Sequence, residues 1–170
     1  MPLLPFFEWL DANLPGTLAL RDATYGFTIL LTAHVVCMCL FMGLIIMMDL
    51  RLVGIGHRGT PVTQIQRRLF PWQMLGFVLT SVTGLLLLYS DPLRYYPEGF
   101  FWGKLALMGL AGVNALAFHL TTYRSVAAWD SHAPTPFGAK LAGAAGLALW
   151  AGVLIFGRLI AYDWWEFQIY

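Results

Sequence analysis

Four apolar stretches, each long enough to cross a lipid bilayer as a helix, constrain this chain more than any other feature. They cover residues 25–48, 69–89, 105–123 and 141–162. A helix needs about 20 predominantly apolar residues to span a bilayer, and the segments between the stretches carry the glycine, proline and charge typical of loops. The sequence therefore predicts an all-α fold, an up-down bundle of four transmembrane helices that forms a single domain over residues 1–170.

The composition agrees with this fold and excludes several functions. Charged residues make up 11% of the chain, whereas soluble domains carry about a quarter. The formal net charge of +1 gives no indication of a nucleic-acid partner. No phosphate-binding glycine loop, Ser/His/Asp set or carboxylate pair is recognisable. We therefore expect any role in catalysis to be that of a membrane subunit in a larger enzyme.

The first 20 residues do not resemble a cleavable signal peptide. They lack a basic start and contain Glu8 and Asp11. These acidic residues alternate with Phe6, Trp9 and other apolar side chains. This pattern favours a short helix lying in the membrane interface, with a frayed tail as the alternative.

Positive charge orients the bundle, because cytoplasmic loops carry an excess of lysine and arginine. The first and third loops hold Arg51, Arg58, Arg67, Arg68, Arg124 and Lys140. The opposite side holds Arg21, Arg94 and Lys104, with Arg158 inside the last span. The bias places both termini on the non-cytoplasmic side of a bacterial inner membrane.

The non-cytoplasmic side is also rich in aromatic residues. They include Tyr95, Tyr96, Phe101, Trp102, Tyr162, Trp164, Trp165, Phe167 and Tyr170. Such residues form belts at the lipid headgroups. A cluster of this density could also dock a flat ligand or another protein subunit.

Polar groups inside membrane spans are costly and indicate function by default. The main ones are His34, Asn114, His119 and Arg158. The structural alternative for each histidine is a neutral imidazole hydrogen-bonded to a neighbouring helix. Asp49 is interpreted as part of a polar cap that ends the first span.

His34 and His119 are candidate ligands of a b-type haem, since paired histidines on different helices hold haem in membrane bundles. The first and third spans run parallel in an up-down bundle. Counting from the outer charges predicts a depth difference of about 4 to 5 Å, but counting from the inner charges predicts about 15 Å. Asn114 is a candidate to orient a histidine ligand.

A copper site is the alternative at the same helix. His34, Met38 and Met42 share one helix face, and Cys37 lies beside it. Thiolate, thioether and imidazole together suit monovalent copper, although methionine also commonly fills apolar gaps.

Arg158 lies four residues before Tyr162, inside the outer boundary of the last span. It can reach the headgroups or pair with an acceptor such as a haem propionate or a quinone carbonyl. We expect it to face the bundle or a ligand. On the same helix, Ala144, Ala148 and Gly152 recur every four residues, and Ala142 and Gly146 form a neighbouring pair. Small residues at this spacing predict close packing against a neighbouring helix.

Three motifs resemble those of small bacterial four-helix membrane proteins of uncharacterised function. They are His34 followed by Gly43 and residues 49–52, residues 101–104 continuing to Asn114, and residues 157–162. More distantly, the architecture resembles copper-resistance D-type and cytochrome b561-type membrane proteins. That resemblance implies histidines directed towards a metal or a haem.

Three functions follow as hypotheses. The first is a haem-carrying electron-transfer subunit of b-type cytochrome character within a larger complex. The second is a copper-handling membrane protein. The third is a membrane anchor or assembly subunit without a cofactor.

Overall fold

A computed structural model describes residues 3–13, 25–57, 59–130 and 134–162 of the chain. The helices in these ranges are α1 (Leu4–Asn13), α2 (Gly26–Val53), α3 (Val62–Ser90), α4 (Pro92–Tyr95), α5 (Gly99–Leu120) and α6 (Phe137–Leu159), with a 3₁₀ helix at Thr122–Ala128. Several residues used in the sequence argument lie outside the described residues: Arg21, Arg58, Trp164, Trp165, Phe167 and Tyr170.

Helices α2, α3, α5 and α6 are long and apolar enough to cross a membrane. The predicted all-α fold with four transmembrane helices is therefore confirmed, as is a short helix near the N-terminus. Large apolar side chains such as Ile29, Leu85, Val113 and Ile155 are exposed along these four helices. Such a surface fits lipid rather than water.

Three helices extend beyond the apolar stretches at the end of the bundle that carries Arg51, Arg67, Arg68, Arg124 and Lys140, which we call the basic end. They are α2, α3 and α6, whereas α5 ends at Leu120, before its stretch does. Helix α2 continues past Met48 to Val53 and stops where Gly54 adopts a φ of 89°. Glycine reaches this left-handed conformation without steric cost and commonly ends helices. Hydropathy marks only the part of a helix in lipid, so it missed the last turn of α2, which contains Asp49.

The four spanning helices differ in how many neighbouring helices each one contacts. Helix α2 packs against α3 and α6, and α6 packs against α5. Helices α3 and α5 therefore form the two flanks of the arrangement, with little direct backbone contact between them in the described residues. This leaves a cleft between α3 and α5, with α2 and α6 at its base.

Small residues set the close approach of α6 to its neighbours, and Gly146 and Gly152 are among the predicted ones that take part. Ala144 and Ala148 are exposed. The buried positions are Gly143 and Gly146, which lie against α2, while Gly152 contacts Leu107 of α5. Close packing of α6 is thus confirmed, and the assignment of Ala144 and Ala148 to that contact is wrong.

The basic end of the cleft is closed by an apolar core. Its members are Met48, Leu52, Val62, Ile65, Phe118, Trp129 and Ala139. Two polar links tie the adjoining loops together. Arg51 donates to the Thr60 carbonyl (2.8 Å) and the Thr135 hydroxyl (3.3 Å), and Asp130 accepts hydrogen bonds from the backbone and hydroxyl of Thr63.

Candidate functional site

A cavity of about 150 Å³ lies in the cleft, directly beside the apolar core of the basic end. All four spanning helices contribute to its walls. Most of the lining is apolar, and it includes the aromatic side chains of Phe70, Phe118 and Trp150. Its polar members are Asp49, Gln66, Gln73, Asn114 and His119. A concave, mostly apolar site with a few polar groups is the usual form of a small-molecule site.

Asp49 is held in this cavity by the close packing of α2 and α6. A Cβ atom at Gly146 would collide with the Asp49 carboxylate, so the absence of a side chain there makes room for it. Its Oδ2 atom is buried without a hydrogen-bond partner among the described residues. The Arg51 guanidinium, two residues along, is directed instead to Thr60 and Thr135. Asp49 is therefore a carboxyl group in need of a proton or a donor.

Gln73 and Asn114 are fixed by bonds to the backbone of neighbouring helices. Gln73 donates from Nε2 to the Leu44 carbonyl of α2 (3.2 Å). Asn114 donates from Nδ2 to the Ala142 carbonyl of α6 (2.9 Å). A carbonyl only accepts, so the amide nitrogen must face it, and the orientation of each amide is settled.

His119 lies at the exposed edge of the same cavity. Its Nδ1 donates to the Ala115 carbonyl one turn earlier (2.9 Å). Its ring packs edge-on against Phe118 and lies 5.2 Å from the Tyr123 ring centroid. With Nδ1 carrying the proton, a neutral imidazole keeps the lone pair of Nε2 available.

His34 lies elsewhere, buried at 9% exposure between α2 and α3. The Thr83 hydroxyl donates its proton to the Leu79 carbonyl (2.7 Å), so it accepts from His34 Nδ1 (2.9 Å). The ring also fits against Gly84, where an added Cβ would lie 3.1 Å away. This matches the structural alternative of a neutral imidazole bonded to a neighbouring helix.

The structure does not bring His34 and His119 together. His119 shares its cavity with Asp49, and Asp49 is 15 residues beyond His34 on the same helix. That separation corresponds to roughly 20 Å along the axis at about 1.5 Å per residue. The expectation that both could ligate one haem is therefore wrong, and the count from the inner charges was the better guide. Asn114 lies with His119, not with His34.

Arg158 does not point into the bundle. It is exposed, its guanidinium lies 4.7 Å from the Tyr162 ring centroid, and it donates to the Tyr162 hydroxyl. Of the two expected environments, the bundle interior is not the one observed, because an exposed tyrosine one turn later supplies the contact, and a ligand contact at Arg158 stays a prediction.

The proposed copper ligands differ in burial along α2. Met42 is buried, Cys37 and Met38 are partly buried, and Nδ1 of His34 is already bonded to Thr83. The described part of the chain contains no group of three or more His, Cys, Asp or Glu residues placed to hold a metal ion. A copper site at these residues stays a prediction.

Comparison with known proteins places the chain in a family. It matches a family of unknown function, DUF6644, over residues 6–163. The chain belongs to that family. No curated protein and no solved structure matches it. The expected membership of an uncharacterised family is confirmed, whereas nothing in these comparisons supports a likeness to copper-resistance D-type or cytochrome b561-type proteins.

Sequence reasoning missed three polar members of the cavity. Asp49 was interpreted as a cap at a helix end, and Gln66 and Gln73 were not singled out. The available signal was the position of Asp49 five residues before Gly54, since a helix running to that glycine carries the carboxylate inside the bundle. No comparable signal marked Gln73 beyond its polarity within an apolar stretch.

Proposed function

We propose that the protein is a membrane subunit of an electron-transfer complex and that its cavity binds a small, lipid-soluble ring of the quinone or quinol class. The observation that carries this proposal is the Asp49 carboxyl group, whose Oδ2 has no hydrogen-bond partner among the described residues and which lies in a ring-sized cavity beside His119. The proposal keeps the sequence prediction of a bacterial inner membrane.

The size of the cavity suits a single ring. A buried cavity of about 150 Å³ lined by apolar side chains is known to bind benzene. The cavity here has a volume of about 150 Å³. Phe118 and Trp150 offer apolar faces to such a ring, while the polar groups on the wall give it an orientation.

Access from the lipid supports a membrane-soluble ligand. Phe70 and Met74 of α3 and Ala115 and His119 of α5 all line the cavity and are exposed. Because α3 and α5 are not packed together, a molecule dissolved in the bilayer can reach the cavity sideways between them. A tail attached to the ring would then remain in the lipid.

The polar groups suit the proton chemistry of such a ring. Oxidation of a quinol to a quinone releases two electrons and two protons. Asp49, through its carboxyl oxygens, and His119, through Nε2, both have an atom that can accept a proton, and they share the cavity. The two electrons would pass to an electron acceptor carried by a redox partner subunit that reaches the cavity end of the bundle.

Binding of the ring to the full chain tests the proposal. We expect trimethylhydroquinone or trimethylbenzoquinone to bind the wild-type protein in lipid nanodiscs, measured anaerobically by titration calorimetry. Ala115→Trp places a large side chain in the cavity and should weaken binding by at least about tenfold, or about 1.4 kcal/mol.

The matched control is Ala106→Trp, on the opposite face of α5, exposed and outside the cavity. It should bind as the wild type does. Absence of binding of either ring to the wild-type protein would refute the proposal. Equal binding by the Ala115→Trp and Ala106→Trp variants would place the site elsewhere.

A further inference from the structure

Asp49 presents one of its two carboxyl oxygens to the cavity. Oδ2 lies against α6 at Gly146 and is buried without a hydrogen-bond partner among the described residues. Oδ1 is not buried in this way, and Asp49 is one of the residues that line the cavity. Water or a ligand can therefore reach the carboxyl group only from the cavity side, so its charge depends on what the cavity contains.

No cationic side chain in the described ranges pairs with Asp49. The Arg51 guanidinium, two residues along α2, is directed to Thr60 and Thr135 in the loops. The other described arginines and lysines of the basic end are exposed and do not line the cavity: Arg67, Arg68, Arg124 and Lys140. A negative charge on Asp49 thus depends on hydration for its stability.

The polar neighbours of Asp49 in the cavity also leave Oδ2 without a donor. Gln66 and Gln73 of α3 and Asn114 of α5 carry amide N–H groups, but none of them is hydrogen-bonded to Oδ2. His119 of α5 is the other titratable residue of the lining, and the α6 residues there do not ionise. Asp49 and His119 are therefore the two groups of the wall that can take up a proton.

Water and a quinone have different effects on this carboxyl group. Without a ring, the cavity of about 150 Å³ has room for several water molecules, which can hydrate a carboxylate. A ring of similar size displaces that water. Because a quinone carries carbonyl acceptors and no donor, a carboxylate beside it would be an uncompensated buried charge, which is strongly disfavoured. A protonated carboxyl group is neutral and can donate to a ring carbonyl.

We infer that a quinone ring and a proton bind to the cavity together, with the proton on the Asp49 carboxyl group; this inference rests on the proposed function. The proton neutralises Asp49 while the ring excludes water, and it is released when the ring leaves and water returns. Exchange of the ring with the bilayer is thereby coupled to exchange of a proton at the basic end.

Titration calorimetry of the full chain with trimethylbenzoquinone in nanodiscs, repeated across a range of pH, tests this coupling. The quinone has no group that titrates in the range, so a change with pH comes from the protein. One bound proton can raise Kd by up to about tenfold per pH unit, and we expect a rise of at least about tenfold between about pH 5.5 and about pH 8.5. Titrations in buffers of different ionisation enthalpy should show net proton uptake. Neither measurement depends on the folding of a variant.

Three variants identify the group that takes up the proton. Asp49→Asn keeps the shape of the neutral carboxyl group and cannot ionise, so its Kd should be independent of pH and, at the alkaline end, at least about fivefold lower than that of the wild type. His119→Gln should keep the rise of Kd with pH, whatever its effect on the affinity itself. Glu8→Gln removes a carboxylate from the exposed side of α1 and should behave as the wild type does.

The outcomes separate the two proposals. If the quinone binds the wild-type protein with the same Kd at every pH and without proton uptake, or if only trimethylhydroquinone binds, the inference is overturned while the ring site itself stands. A pH dependence that persists in Asp49→Asn, or that disappears in His119→Gln, overturns the assignment of the proton to Asp49. If neither ring binds at any pH, the proposed function fails together with the inference.

Discussion

A single methyl group added at Gly143 tests the packing that places Asp49 in the cavity. An ideal Cβ at this position would lie 2.8 Å from the Asp49 backbone oxygen and 2.9 Å from the Leu52 Cβ. Carbon atoms in favourable contact are about 3.5 to 4.0 Å apart. The first obstacle is a backbone atom within α2, so no side-chain rotation removes it, and α2 and α6 must separate.

The expected magnitude follows from two opposing effects. Forcing an extra carbon into a well-packed contact costs about 1–3 kcal/mol, and replacing glycine by alanine within a helix recovers up to about 1 kcal/mol. Because the clash is with the backbone, the cost should lie in the upper part of that range, at about 2–3 kcal/mol, so we expect Gly143→Ala to lower the free energy of unfolding by roughly 1–2 kcal/mol. At about 2–4 °C per kcal/mol for a chain of this size, Tm should fall by roughly 2–8 °C.

The assay is thermal unfolding of the purified protein in detergent, followed by circular dichroism. Gly112→Ala on α5 is the matched control, because that glycine is exposed and has no atom within 4 Å of the added Cβ. It should be as stable as the wild type or slightly more so. Equal Tm values for the two alanine variants would contradict the described contact between α2 and α6.

Three further predictions address the site and the orientation of the chain. Gly146→Ala should displace the Asp49 carboxylate and so weaken hydroquinone binding, measured by calorimetry. Because that side chain can rotate away, the loss of Tm should be smaller than for Gly143→Ala. Unchanged hydroquinone binding would contradict this prediction. If haem b is bound, His34→Ala or His119→Ala should alter the reduced-minus-oxidised absorbance spectrum, and a wild-type spectrum without Soret and α bands would end the haem hypothesis. A reporter fused after Tyr170 should be active on the non-cytoplasmic side, and a cytoplasmic signal would reverse the predicted orientation.

The spanning helices could be predicted because their signal is local. A run of apolar residues of sufficient length has few alternatives in a chain with so little charge, and most of each run proved to lie in one helix. The helix ends at the basic end could not be found in this way. Their backbone hydrogen bonding continues through polar residues such as Asp49 until Gly54 stops α2.

The candidate site depended on contacts between distant parts of the chain. Asp49 is inside the cavity because Gly146, almost 100 residues away, has no side chain. His34 was correctly expected inside the bundle, yet its partner is Thr83 of the adjacent helix. The relative height of His34 and His119 depends on how much of each helix extends beyond the lipid, and composition alone does not reveal that length.

Photo-crosslinking tests the central claim most directly, because it reports where the ring lies. An azide-bearing hydroquinone is bound to the full chain in nanodiscs, irradiated, and located by mass spectrometry of the peptides. We predict label on the cavity walls, within residues 70–74 of α3 and 111–119 of α5. Excess trimethylhydroquinone should compete this label away, and the Ala115→Trp substitution should prevent it. Label confined to the aromatic residues near Tyr95 and Trp102, and unaffected by Ala115→Trp, would contradict the account.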